Sequence, residues 1–136
     1  MKIGIVVLNY NDSQSVQNLI TLISGYQSIN HIVIVDNMST DNSFDVLKNL
    51  ENNKCSVVSS GRNGGYAYGN NVGMTYLIDN YQSDIIFIAN PDVIFEENFV
   101  VRIVESLINH KEYAVLSGLM LYPPPPPPPH PPKNKK

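Results

Sequence analysis

Three short apolar runs in this sequence end in residues suited to binding rather than packing. VVLNYND closes on Asn9, Tyr10 and Asn11, HIVIVDN on Asp36 and Asn37, and FIANPDV on Asn90 and Asp92. If the runs are neighbouring parallel strands, their carboxyl ends bring amides, a phenol and carboxylates to one edge, where open α/β sheets bind ligands. Asp36 follows its run directly, so the strand should hold its side chain at the rim, placed to accept hydrogen bonds from a base or a ribose. Its competing role is to cap the turn that follows, yet Ser39, Thr40 and Asp41 already stand there for that purpose. Tyr10 suits stacking on a planar base and suits packing equally well.

Asn90-Pro91-Asp92 is the sharpest of these signals. Pro91 is the only proline before residue 123. It fixes φ, removes a backbone donor and biases Asn90 toward an extended conformation. Sheet pairing should therefore end there, with Asp92 held in one direction. A fixed carboxylate at such a rim suits Mg²⁺ or Mn²⁺, hard cations that take one or two carboxylates plus substrate phosphates. Such an ion neutralises charge on a departing diphosphate. Asn90 is neutral, and so better fitted to bond a ribose or phosphate than to hold the ion alone.

The stretch GRNGGYAYGNNVGM, residues 61–74, carries five glycines and three asparagines and leads into a helix. Its glycines permit close backbone approach to a ligand. Ala67, Met74, Leu77, Ile78 and Tyr81 form the expected buried stripe of that helix, and Asn71 falls in it, one turn after Ala67. A buried amide needs partners, so Asn71 either bonds backbone or faces a nucleotide. GxxxxGK[ST] is missing and no GxGxxG follows the first run, which counts against a P-loop and against a dinucleotide enzyme.

The elements that must position these residues alternate along the chain. KIGIVVL, HIVIVD, CSVVSS, DIIFIAN and YAVLSG are short, β-branched and nearly continuous, as strands covered on both faces are. Between them run helical stripes: Val16, Leu19, Ile20 and Ile23 after a cap at Asp12 or Ser13, and Phe44, Leu47 and Leu50 after Thr40 or Asp41. The longest is Phe99, Val100, Ile103, Val104, Leu107 and Ile108. This alternation predicts an α/β domain, a mostly parallel sheet with flanking helices. Residues 1–122 suffice for one modest domain. Residues 123–132 read PPPPPPPHPP, a run limited to polyproline II or disorder. It reads either as a ligand for an SH3-type groove or as a non-native, frameshifted tail.

Composition narrows the partners. The net charge of −3 provides no basic field for nucleic acid or anionic lipid. No apolar run approaches the roughly 18 residues of a membrane span, and the N-terminus lacks the length and cleavage site of a signal peptide. The single cysteine, Cys55, reads as a small buried hydrophobe and fits a reducing cytoplasm.

In this order, VVLNYND, VIVDNMSTDNS, RNGGYAYGNNVGM and FIANPDV closely resemble family 2 glycosyltransferases of the GT-A fold. The Asn-Pro-Asp form, with the Asn-Gly-Gly and Asn-Asn-x-Gly pattern, is most similar to the rhamnosyltransferase-like branch. The resemblance runs from residue 3 to about residue 121. It implies a Rossmann-like nucleotide-binding half with a nucleoside-diphosphate sugar at the strand rim. Tyr10 would lie against the base and Asp36 would bond the base or ribose. Asn63 and Asn71 match positions lining the nucleotide pocket, and Asn11, at the same strand end as Tyr10, is counted with them. Asp92 matches the metal-binding acid of the DxD-like motif, and Asn90 stands where its first acid would be, on the nucleotide side. The resemblance also implies inversion by a single displacement, in which a base-assisted acceptor hydroxyl attacks while the metal stabilises the departing diphosphate. The acceptor would be a glycan or lipid-linked glycan in surface polysaccharide synthesis, met in the cytoplasm or at the inner membrane face.

Family members usually continue well past this point, supplying the acceptor site and a catalytic acid. Glu96 and Glu97 match no base position and are expected to open the next helix, where acidic residues suit the dipole. Two readings follow: a glycosyltransferase or its N-terminal portion, and a chain that binds a sugar nucleotide but transfers nothing. A receiver-type signalling domain would want paired acids after the first strand and a lysine after the fifth, and NYND and SGLM supply neither. A sugar nucleotidyltransferase would want a Gly- and Arg-rich loop after the first strand, which is also missing.

Overall fold

The structure, a computed structural model, describes residues 1–117. Four strands, β1 (Ile3–Asn9), β2 (His31–Asp36), β3 (Cys55–Ser59) and β4 (Ile85–Ala89), alternate with α1 (Ser13–Ile23), α2 (Ser43–Lys48), α3 (Tyr66–Tyr81) and α4 (Glu97–Asn109). The strands pair in the order β3-β2-β1-β4, all parallel. The chain steps outward from β1 through β2 to β3, then returns to β4 on the other side of β1. The switch point of the sheet therefore lies between β1 and β4, where the carboxyl ends open a crevice.

The four strands fall where the apolar runs place them. The fifth run does not: in YAVLSG, residues 113–117 hold no strand. Apolar, β-branched content is a local property, whereas a strand exists only with a hydrogen-bonded neighbour. The outer edge of β4 has no such neighbour among the described residues. The expected domain end at residue 122 and the proline run lie outside the described residues.

The sheet is covered on both faces, and the two coverings differ. Val16, Leu19, Ile20 and Ile23 of α1, Leu47 of α2, and Val100 and Val104 of α4 pack on Ile3, Ile5, Val7, Ile32, Ile34 and Val57. Asp12 caps α1, its Oδ1 accepting from the Ser15 amide at 3.2 Å. α2 begins at Ser43, whose amide donates to Oδ1 of the expected cap Asp41 at 2.9 Å, and Asn42 and Glu96, directly before α2 and α4, make no side-chain capping bond. On the opposite face α3 is the one helix among the described residues that closes over Val6, Val33 and Val35. It comes close because Gly73 sits against β1 and β2, where a Cβ would meet Val6 Cγ1 at 2.5 Å and Val35 Cγ2 at 2.9 Å.

That contact fixes the rotation of α3 and corrects the stripe expected for it. The buried residues are Gly69, Asn70, Gly73 and Leu77. Ala67, Asn71 and Ile78 are exposed. Asn71 is therefore not the buried amide of this helix; its neighbour Asn70 is.

Cys55 is buried in β3, and burial together with the Glu51 charge raises its thiol to about 11. The amino edge of the sheet holds a second buried titratable group. His31 is 2% exposed, stacks on Tyr81 at 3.5 Å between ring centroids, and places Nε2 2.9 Å from Ser56 Oγ. Burial lowers its pKa from 6.5 to about 4. Between those values the unfolded chain binds a proton that the folded chain refuses, so stability falls as pH drops from 6.5 toward 4. Urea titrations across that window should lose about 1–3 kcal/mol, and His31→Phe should flatten the slope. An unchanged slope in that variant would assign the pH dependence elsewhere.

Candidate functional site

The loops at the carboxyl edge are built around two buried asparagines. Asn9, fully buried at the end of β1, donates from Nδ2 to Asp36 Oδ1 at 2.8 Å and to Ser39 Oγ at 3.0 Å. Asn37, 4% exposed, donates from Nδ2 to Asn63 Oδ1 at 3.2 Å and accepts from Ser60 Oγ at 3.1 Å. These amides tie the loop after β2 to those after β1 and β3. Both were named as strand-end amides suited to binding; in the structure they hold the loops together, a role that their position directly beside Tyr10 and Asp36 could have signalled.

Asp36 is 3% exposed and takes the turn bonds itself. Its Oδ2 accepts from the Ser39 amide at 3.0 Å, and its Oδ1 from Ser39 Oγ at 2.6 Å and from Asn9. The presence of other capping residues in the turn therefore did not free this carboxylate. A carboxylate offers about four acceptor positions, so one remains, on Oδ2. Asn11 spends its amide on the neighbouring loop: Oδ1 accepts from the Thr40 amide at 2.7 Å, and Nδ2 donates to Thr40 Oγ1 at 3.0 Å. Its backbone is left-handed at φ 55°, and Met38 in the facing loop is left-handed at φ 60°. Such conformations are held only where the surroundings fix them. Between these clamped turns Tyr10 stays half exposed, at 48%.

Asn63 is exposed, and its Oδ1 also accepts from the Gly65 amide at 3.2 Å. Beside it the Arg62 guanidinium lies over the Tyr68 ring, 4.5 Å from the centroid. Asn71 is exposed on α3, while buried Asn70 donates to the Tyr66 carbonyl at 3.0 Å and leaves its Oδ1 without a partner.

β4 ends at Ala89, paired with Val7, and Asn90-Pro91-Asp92-Val93 forms a turn closed by the Val93 amide on the Asn90 carbonyl at 3.2 Å. Pro91 occupies the first central position, which its ring angle favours, and Asp92 the second. Asn90 Oδ1 accepts from the Tyr66 hydroxyl at 2.8 Å. Asp92 is exposed, and among the described residues its carboxylate has no hydrogen-bond or ionic partner; the ion pairs are Lys48–Glu51 and His110–Glu112. No group of three His, Cys, Asp or Glu residues that could hold a metal occurs among the described residues. A free carboxylate on a rigid turn fits Mg²⁺ or Mn²⁺, which draw the rest of their oxygen shell from water and substrate phosphate.

Glu97 is committed elsewhere. Its Oε1 accepts from the Ser28 amide at 2.7 Å, a bond that lowers its pKa. A cavity of about 950 Å³ lies along the outer side of β4, lined by Tyr66, Asn90, Phe95, Glu96, Phe99 and Arg102 among others. It touches the Asn90 end of the polar edge but not Tyr10, Asp36 or Asp92, so the polar network rather than this hollow defines the candidate site. No helix among the described residues is long and apolar enough to cross a membrane.

The chain has known relatives in sequence and in fold. The low-salt glycan biosynthesis hexosyltransferase Agl10 of Haloferax volcanii is 31% identical over 91 residues, which is 67% of this chain and 28% of that protein. TarS 1-349 from S. aureus superposes with a TM-score of 0.65 at 18% identity, covering 82% of this chain and 33% of that one. The mannosyltransferase PcManGT from Pyrobaculum calidifontis, solved with GDP-Man and Mn²⁺, gives 0.65 at 17% identity over 78% of this chain and 32% of its own. These solved neighbours share the GT-A fold, and this chain spans about a third or less of each relative's length. Residues 4–135 match the model of glycosyl transferase family 2, and the chain belongs to that family.

Proposed function

We propose that this chain forms the donor-binding part of a glycosyltransferase that takes a sugar from a nucleoside-diphosphate sugar with the help of Mg²⁺ or Mn²⁺. The observation that carries this reading is Asp92: an unpaired carboxylate, fixed in a proline turn at the β1–β4 switch point, on the same edge as Tyr10 and Asp36. Tyr10 offers an exposed ring for the base, and Asp36 Oδ2 keeps one acceptor position for a base N–H or a ribose hydroxyl. Asn63, Asn71 and Asn90 border the path of the donor, whereas Asn11 acts by clamping the Tyr10 loop. Asp92 holds the cation, which, when bound, offsets the charge of the departing diphosphate. GDP-Man and Mn²⁺ in PcManGT support this class of ligand.

In this reading the acceptor is a glycan or lipid-linked glycan of a surface polysaccharide, attacked once with inversion, in the cytoplasm or at the inner membrane face. A rhamnosyltransferase-like specificity is part of the same reading, resting on the Asn-Pro-Asp form. In the same reading residues 1–122 belong to the donor-binding domain. No described carboxylate is assigned as the general base. That leaves a second reading, binding of the sugar nucleotide without transfer. Release of free nucleoside diphosphate from donor and acceptor separates the two.

The base end is testable by itself. Tyr10→Ala should weaken binding of UDP, dTDP or GDP by about tenfold, since stacking on an aromatic ring contributes roughly 1–3 kcal/mol per base. Fluorescence or calorimetric titration reads this, and unchanged affinity for all three would remove Tyr10 from the site.

A further inference from the structure

We propose that Tyr66 is a positioning residue that fixes which end of the Asn90 amide meets the ligand. The carbonyl is held by the phenol, and the NH₂ is presented as a hydrogen-bond donor to an oxygen of the sugar nucleotide, leaving the cation to Asp92. This inference rests on the donor-binding reading above.

The argument starts from the 2.8 Å bond between the Tyr66 hydroxyl and Asn90 Oδ1, which joins the first residue of α3 to the first residue after β4. Tyr66 is 57% exposed, so burial does not force the contact. A phenol donates well and accepts poorly, because its lone pair is shared with the ring. It therefore selects the carbonyl end of the amide, the end that can only accept. The backbone of Tyr66 is itself anchored, its carbonyl accepting from buried Asn70 at 3.0 Å. With Oδ1 engaged, the remaining Asn90 group is Nδ2, which has no partner among the described residues.

An amide NH₂ offers no lone pair to a cation. It does donate to acceptor oxygens, and a sugar nucleotide supplies these on its ribose and its phosphates. Asn90 thus contributes a neutral donor at a rim whose free acid is Asp92. With one carboxylate rather than two facing a diphosphate, repulsion is smaller when no cation is bound. Some metal-independent affinity should remain.

The test is titration of UDP, dTDP and GDP into the 136-residue chain, in EDTA and in Mn²⁺. Asn90→Ala should weaken binding about tenfold in both conditions, as expected for a lost hydrogen bond to a charged group, and leave the Mn²⁺-to-EDTA ratio as in wild type. Tyr66→Phe should weaken binding severalfold and shift the Asn90 side-chain amide resonances. Combined with Asn90→Ala it should cost nothing more. Asn90→Asp should lower affinity in EDTA and raise the Mn²⁺ ratio. If Asn90→Ala erases the Mn²⁺ ratio, Asn90 is a metal ligand and the inference is wrong. If Tyr66→Phe matches wild type in affinity and amide resonances, Tyr66 positions nothing. Wild type that binds none of the three diphosphates fails earlier, at the donor-binding reading, and takes this inference with it.

Discussion

Asp92→Ala is expected to remove the Mn²⁺-dependent part of nucleoside-diphosphate affinity while the fold stays intact. Asp92 is exposed at the second central position of a turn closed by other atoms, so its loss opens no cavity and strands no buried donor. The variant should unfold within about 0.5 kcal/mol of wild type. Its effect should fall on the metal: the affinity ratio with and without Mn²⁺, expected at about tenfold or more in wild type (roughly 1.4 kcal/mol per tenfold), should collapse to one. Asp92→Asn is the stringent control, because it keeps the shape and removes the charge. Both variants should behave alike.

The largest stability effect is expected at Leu77. It is fully buried on α3, the helix that covers the Val6–Val33–Val35 face. It lies against Gly4, where an added Cβ would meet Leu77 Cδ1 at 2.7 Å. Leu77→Ala should cost about 2–5 kcal/mol, a large share of the roughly 5–15 kcal/mol that holds a domain together. Ile78, one residue on, is 53% exposed, and Ile78→Ala should cost about 0.5 kcal/mol or less. Urea unfolding of the pair checks the rotation of α3 directly. Equal losses would mean the helix packs on both residues, as the sequence alone suggested.

That pair shows where sequence reading succeeded and where it slipped. α1 lies as expected, burying Val16, Leu19, Ile20 and Ile23, because large side chains mark its inward face. α3 presents its smallest residues inward. Its packed face is drawn by Gly69 and Gly73, which a count of apolar side chains passes over. The expected stripe slipped toward Asn71 for that reason, and the spacing of the two glycines was the signal that would have corrected it.

Strand ends were legible, since an apolar run that stops at an acid or amide stops for a local reason. What those acids do was less so. Asp36 bonds Asn9 and Ser39, partners supplied by loop geometry that no spacing rule encodes. YAVLSG looked like a strand, yet pairing is non-local, and residues 113–117 line a hollow beside β4 without pairing to it. α4 likewise buries only Val100 and Val104, while Phe99 and Ile103 of its predicted stripe line the cavities beside that edge. That sheet pairing ends at Asn90-Pro91-Asp92 was readable from three residues, whereas the turn closed by the Val93 amide was not.

The most direct measurement is calorimetric titration of the wild-type chain with UDP, dTDP and GDP, each in Mn²⁺ and in EDTA. The account predicts that at least one of the three binds, and that it binds about tenfold or more tightly with Mn²⁺. Binding of none, or equal affinity with and without the cation, would contradict it.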